Sequence, residues 1–280
     1  GEVYLDNLER WARYYGDGGN AFHLCFNFNL LLARWDAPTL RAAVEDALRV
    51  LPEGAVPAVV LGSHDASRVA TRHGKVRVRA AALLLLTLPG TPVLYCGEEI
   101  GMEDVPVPPE RRRDPATLEG GRTRDPERAP MRWSAQRSAG PYAGFSPAEP
   151  WLPIGRIGPG DTVEEQRADP SSVFNFYRRL LAFRRASPAL TQGHYVARPD
   201  TPSTCYAFER RSGAERKLIA LNAGPGEVRM PVSSGTLVFG TREDRVGEHV
   251  SSTLVLAADE AAIVELSGLP SHEAVPQLEA

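Results

Sequence analysis

Between residues 56 and 95 the chain alternates short β-rich runs with one long apolar run, and no other feature constrains the fold as much. Val56 to Leu61 is the first β-rich run. Val76 to Leu88 is apolar on most sides, with no breaker before Pro89-Gly90, and Thr91 to Tyr95 is β-rich again. Strands alternating with helices imply a parallel sheet with helices packed outside it. The first run stops abruptly at Gly62-Ser63-His64-Asp65, followed by Arg68. That is the pattern of a buried strand delivering ionisable side chains to a cleft. Glu2, in Gly1-Glu2-Val3-Tyr4, could bring a second carboxyl group to the same cleft. Two carboxylic residues at one site are what glycoside hydrolysis needs, one to protonate the leaving oxygen and one to stabilise an oxocarbenium-like centre. Read alone, His64-Asp65 also fits a strand-end turn, as Asp often does, and Glu2 a solvated terminal residue.

The rest of the chain fills in around this pattern. Ala21 to Phe28 is rich in aromatics and follows Gly18-Gly19-Asn20, which predicts a buried strand. Pro38, then Leu40, Val44, Ala47, Leu48 and Leu51, has helical spacing with proline in the first turn. Residues 103 to 168 are rich in proline and glycine and lack periodicity, and so long a loop in a compact domain is usually functional. Val173, Phe176, Tyr177, Leu180, Leu181 and Phe183 predict an amphipathic helix stopped at Ser187-Pro188. Five β segments follow: Cys205 to Phe208, Lys217 to Leu221, Thr236 to Phe239, Thr253 to Leu256 and Ala261 to Leu266. With turn residues between them they predict a small antiparallel sandwich.

Composition narrows the function classes. A net charge of −3 gives no basic face for nucleic acid, and Arg111-Arg112-Arg113 is diluted by Glu110, Asp114 and prolines, as a solvated loop would be. Ala80 to Leu88 is too short to span a bilayer. Cys25, Cys96 and Cys205 lie far apart without a paired spacing, which fits reduced thiols in a cytoplasmic protein. No Cys/His set has zinc spacing, and neither a metal nor a cofactor is expected.

Gly1-Glu2-Val3-Tyr4 and Gly62-Ser63-His64-Asp65 resemble two signature regions of the α-amylase family of glycosidases, glycoside hydrolase family 13. The likeness runs in order through Leu83 to Tyr95, Gly97-Glu98-Glu99-Ile100-Gly101-Met102, Arg124 to Trp133, Gly144-Phe145-Ser146 and Pro150-Trp151-Leu152-Pro153, covering residues 1 to about 190. It is nearest to the α-glucosidase, oligo-1,6-glucosidase and trehalose synthase group.

The resemblance implies an α/β fold in which the end of strand five and strands six to eight of a (β/α)8 TIM barrel precede an all-β antiparallel sandwich. Residues 1–189 would be the partial barrel, with its long loop at 103–168; residues 190–268 would be the β domain, and 269–280 a tail. Strands one to five are expected to be absent, and with them the nucleophilic Asp at the end of strand four. A missing N-terminal half is therefore a possible partner.

By the same resemblance Glu2 is the general acid/base and Asp65 the carboxylate that stabilises the transition state. His64 hydrogen-bonds the same sugar, Arg124 helps close the pocket around a terminal glucose, and Phe145 offers a stacking face. The family normally has Asn at position 63; Ser is shorter and offers fewer hydrogen bonds to the loop. Phe26, Phe28, Trp133 and Trp151 read as packing residues, Glu98-Glu99 as shaping the site's rim, and Arg68 and Arg72 as ion-pairing partners of the loop. The expected activity of an intact enzyme is retaining cleavage of terminal α-glucosyl linkages in oligosaccharides or disaccharides. The alternatives are transglucosylation or isomerisation, as in trehalose or isomaltulose synthesis, and a non-catalytic scaffold.

Overall fold

The computed structural model describes residues 1–17, 20–118 and 121–268. Gly18-Gly19 and the expected tail 269–280 lie outside the described residues. In chain order the helices are α1 (Leu8–Ala12), α2 (Phe28–Leu32), α3 (Ala37–Val50), α4 (Val69–His73), α5 (Val78–Thr87), α6 (Pro115–Leu118), α7 (Val163–Ala168), α8 (Val173–Ala186) and α9 (Pro188–Gln192). The strands are β1 (Ala58–Val60), β2 (Thr91–Val93), β3 (His194–Ala197), β4 (Cys205–Ser212), β5 (Glu215–Asn222), β6 (Val228–Pro231), β7 (Gly235–Gly240), β8 (His249–Val250), β9 (Thr253–Leu256) and β10 (Ala261–Leu266). Contacts gather these into two compact units. One holds Gly1–Val60, Ala82–Val93 and the chain from Leu180 onward, and the other holds Leu61–Ala81 and Leu94–Arg179.

In the first unit, four short stretches lie side by side and parallel. The Gly1 ammonium donates to the Leu24 carbonyl and the Phe26 N–H to the Gly1 carbonyl, the slanted pattern of a parallel ladder. Phe26 bridges Ala58 in parallel, and β1 pairs with β2 from Ala58↔Thr91 to Val60↔Val93. The expected strand over residues 21–28 is thus reduced to this one bridge. Asn27 ends it, because its side chain caps α2 at the Leu30 N–H and also donates to the Ala43 carbonyl.

The helix predicted from Pro38 forms as α3, its N-cap Asp36 accepting from the Thr39 N–H at 2.8 Å. It buries Ala37, Leu40, Ala43, Val44 and Ala47. On its other side Arg41 reaches the Thr201 hydroxyl and the Arg198 carbonyl, and Glu45 accepts from the Tyr195 hydroxyl. The carbonyls at the end of α5 and just beyond it take arginines: Arg184 donates to Leu86 and Gly90, and the buried Arg210 to Thr87 and to Gly193. Cations suit the negative end of a helix.

The β region is a six-stranded antiparallel sheet, β3-β4-β5-β10-β7-β8, with a separate pair β6-β9. Cys205, Ala207, Leu218, Ala220, Leu237, Ala262 and Val264 of the large sheet pack with Met230, Leu254 and Leu256 of the pair, forming the sandwich core. The alternate residues Tyr206 and Phe208 are equally buried. Burial on both faces gives β4, β5 and β10 near-continuous apolar runs, which is why they were readable; β3, β6 and β8 are short or half-exposed and were not read as strands.

The second unit is mostly loop. Ile100, Met102, Val105, Ala129, Met131 and Val163 form its small apolar cluster, with Phe174 against it. The long loop is pinned by backbone bonds from Val105 to Pro126, Ser134 to Ala143 and Val163 to Arg132, and the chain enters α7 at the N-cap Thr162. Polar pins replace the missing periodicity.

Candidate functional site

The strand leaving β1 ends in a tight turn whose shape is set by its own side chains. The Ser63 hydroxyl accepts from the Asp65 N–H at 3.1 Å, and Ser63 and Ala66 form an antiparallel bridge. Ser63, where the family normally has Asn, thus supplies an acceptor to the turn. The turn is held from both sides: Arg72 donates to the Leu61 and Ser67 carbonyls, and the Arg128 Nε to the His64 carbonyl at 2.8 Å.

Asp65 is the hub. Its Oδ1 accepts from Arg124 Nη1 at 2.7 Å and Arg128 Nη2 at 2.9 Å, with His64 Nε2 at 3.4 Å. Among the described residues its Oδ2 has no hydrogen-bond or ion-pair partner, and the side chain is about a third exposed (35%). One carboxylate oxygen is thus fixed and the other open to a hydroxyl.

Arg124 is itself clamped. The fully buried carboxylate of Asp114 accepts from the Arg124 backbone N–H at 2.7 Å, from Nε at 2.9 Å and from Nη2 at 2.7 Å. Such a planar two-point pairing orients the guanidinium as well as attracting it. These hydrogen bonds hold the Asp114 carboxyl well below the usual carboxylate range and raise Arg124 further above its ordinary value. Asp125 supports the clamp from below, its Oδ2 accepting from the Arg113 and Asp114 N–H groups and the Thr123 hydroxyl.

Beneath the turn lies Glu98, one of the most buried carboxyl groups of this unit. Its Oε2 accepts from the Tyr95 N–H at 3.2 Å, while its Oε1 is buried without a hydrogen bond. Burial pushes its pKa up to about 7, against the lowering pull of that N–H bond and of Arg68 and Arg72.

Of the expected site residues, the structure brings His64, Asp65 and Arg124 together. Phe145 is in the same unit, its ring half-exposed on a turn closed by its N–H to the Tyr142 carbonyl. Glu2 belongs to the first unit, where its side chain is exposed. Arg128 and Asp114 were missed as site residues by sequence reading, although the short spacing Arg124-x-x-x-Arg128 was visible. Trp133 and Trp151, read as packing, are instead exposed (48% and 61%). Arg68 reaches the Cys96 and Ala129 carbonyls and lies over the Tyr95 ring, and Arg72, besides its carbonyl bonds, is drawn electrostatically to Glu98 and Asp104. Arg111 is likewise anchored, to the Pro150 carbonyl and Glu149, rather than simply solvated.

Residues 1–193 match the family of the alpha amylase catalytic domain. Maltase A1 of Drosophila melanogaster is 32% identical over 265 residues, covering 91% of this chain and 45% of its own length. The amino acid transporter heavy chain SLC3A1 of Rattus norvegicus is 32% identical over 230 residues, covering 80% of this chain and 32% of its own. Among solved structures, an isomaltulose synthase mutant from Erwinia rhapontici NX5 in complex with D-glucose superposes with a TM-score of 0.81 at 25% identity, over 96% of this chain and 55% of that one. The chain spans less than half the length of these curated relatives.

Proposed function

Since the chain belongs to the alpha-amylase family, we propose that it carries part of the active site of a retaining α-glucosidase-type glycoside hydrolase. Its substrate would be a terminal α-glucosyl unit of an oligosaccharide or disaccharide. Glu2 is the general acid/base, protonating the glycosidic oxygen and then taking a proton from water. Asp65 grips the hydroxyls of the distorted ring. His64 and Arg124 hold the same sugar, and Phe145 offers a face to it. The nucleophile of a double displacement comes from outside these 280 residues. The all-β region from about residue 190 to 268 is a separate domain after the partial barrel of 1–189. The absence of paired cysteine spacing supports a cytoplasmic setting, and the substrate is the only partner class the charge pattern favours.

The observation that carries this reading is Asp65 itself, with one oxygen fixed by Arg124 and Arg128 and the other open. A carboxylate so oriented accepts from sugar hydroxyls without paying to reorganise. The likeness to an isomaltulose synthase supports transfer to a retained sugar as the second reading, since the same groups serve either acceptor. A binding scaffold, the third reading, draws support from the transporter heavy chain but not from the presence of Glu2, His64 and Asp65.

The test is in two arms. Glucose added to the labelled chain is expected to shift the His64 and Asp65 resonances, and far less so in Asp65→Asn. Hydrolysis of p-nitrophenyl α-glucoside by the 280 residues is expected to be absent, with or without Glu2→Gln. Turnover abolished by Glu2→Gln would mean that the nucleophile lies within the chain, and no shift with glucose would remove the sugar site.

A further inference from the structure

Gly62 is a glycine for lack of room. Its φ lies outside the left-handed region, so the backbone does not demand it. A Cβ built there would sit 2.1 Å from Glu98 Oε1 and 3.0 Å from its Cδ. The Glu98 carboxyl group therefore presses against the backbone exactly one residue before the Ser63-His64-Asp65 turn. A side chain there would have to displace the end of the Glu98 side chain.

We infer that Glu98 is a positioning residue, whose buried carboxyl group under Gly62 fixes where the turn presents His64 and Asp65. Several observations meet here. Gly97 and Gly101, both left-handed at φ +97° and +63°, bracket the short helical turn that aims Glu98 inward. The Tyr95 N–H fixes one carboxyl oxygen and leaves the other against Gly62. Arg72, which holds the Leu61 carbonyl, is also electrostatically coupled to Glu98. The same carboxyl group thus touches the turn directly and through the arginine that tethers it.

The charged and titratable groups facing Glu98 are Arg68 and Arg72 from the turn and α4, Glu99 beside it, and Tyr177 from α8. Asp104 faces Arg72 in turn. Because burial raises the Glu98 carboxyl to about 7, it is largely neutral below that pH and gains charge above it. Charge appearing there draws Arg68 and Arg72 toward it, at the expense of their carbonyl bonds. The turn shifts as a consequence. The significance for sugar binding rests on the proposed roles of His64 and Asp65; the positioning itself does not.

The test is an NMR pH titration of the 280-residue chain and of Glu98→Gln. In the native sequence the Gly62, Ser63 and Asp65 amides are expected to move with a common midpoint near pH 7. In Glu98→Gln the component of that movement seen at Gly62 should disappear. An unchanged amide titration in Glu98→Gln would overturn the inference. Thermal unfolding of Gly62→Ala, Glu98→Ala and the double variant gives an independent check should Glu98→Gln fail to fold. Gly62→Ala is expected to lower Tm strongly alone and much less beside Glu98→Ala; strictly additive effects would overturn the inference. Glucose is added as a separate arm at pH 6. If it leaves His64 and Asp65 unmoved while the Glu98-dependent titration persists, the sugar reading fails and the positioning role stands.

Discussion

The two compact units solve the same problem with different materials. The β region of the first buries Leu218, Leu237, Leu254, Leu256 and Val264 against one another, and its strands pair over long registers. The loop-rich second unit has one small apolar cluster and relies on Asp65, Asp114, Asp125, Arg124 and Arg128 to hold one another and the backbone. Apolar burial is non-directional and tolerates many sequences, whereas a polar network fixes the orientation of each group it includes. A unit that must present particular oxygens and guanidiniums at set angles gains from the second arrangement, at some cost in stability.

The largest effect should come from the apolar side of this contrast. Leu254→Ala, at a fully buried position between the two sheets, is expected to cost about 3 kcal/mol and to leave the Asp65 turn unchanged. Urea unfolding monitored with NMR of His64 checks both halves; a disturbed turn would break the separation.

Glu98 gives the next effect, and its sign is set by linkage. Its folded pKa of about 7 lies above the ordinary 4.5, so the folded state binds more protons between these values. The contribution is fully present below pH 4.5 and is lost as pH rises through 7. Relative to the native chain, Glu98→Gln should therefore gain about 3 kcal/mol in stability between pH 4.5 and 8. His73 runs the other way. Burial lowers it to about 4, so its contribution is present above the ordinary 6.5 and is lost as pH falls through 4. Comparing unfolding of the two chains across pH cancels the His73 contribution; parallel curves would show that Glu98 is not the group responsible.

Asp114→Asn should act on orientation and on stability together. With the clamp weakened, Arg124 no longer holds a fixed angle at Asp65, glucose affinity is expected to fall about tenfold, and Tm falls as well because a buried ion pair is broken. Titration calorimetry and thermal unfolding separate the two. A large Tm loss with unchanged affinity would place Asp114 on the packing side of the comparison. The smallest effect is expected from Arg242→Ala, whose partner Asp244 is equally exposed: within about 0.5 kcal/mol by thermal unfolding.

Local rules carried the sequence reading where neighbours along the chain decide the outcome. Pro38 in the first turn and the apolar spacing after it mark α3, an unbroken apolar run makes α5, and the doubly buried strands β4, β5 and β10 read as apolar stretches. The same rules failed where a distant partner intervened. The run of aromatics before Asn27 promised a strand, but Asn27 found the Ala43 carbonyl and the Leu30 N–H and turned the chain into α2. The exposure of Trp133 and Trp151 was equally hidden, since composition cannot say which face of an aperiodic loop meets solvent.

For the site, the sequence by itself determined the turn at Gly62-Ser63-His64-Asp65, the ordered motifs of the family and the candidacy of Arg124. Strand ends, turn residues and motif order are all properties of a contiguous chain. Only the tertiary structure decided that Arg124 and Arg128, 59 and 63 residues away, share one oxygen of Asp65, that Asp114 sets the angle of Arg124, and that Glu98 lies under Gly62. Hydrogen bonds and pKa shifts depend on distance and burial in three dimensions, and neither is encoded in spacing along the chain.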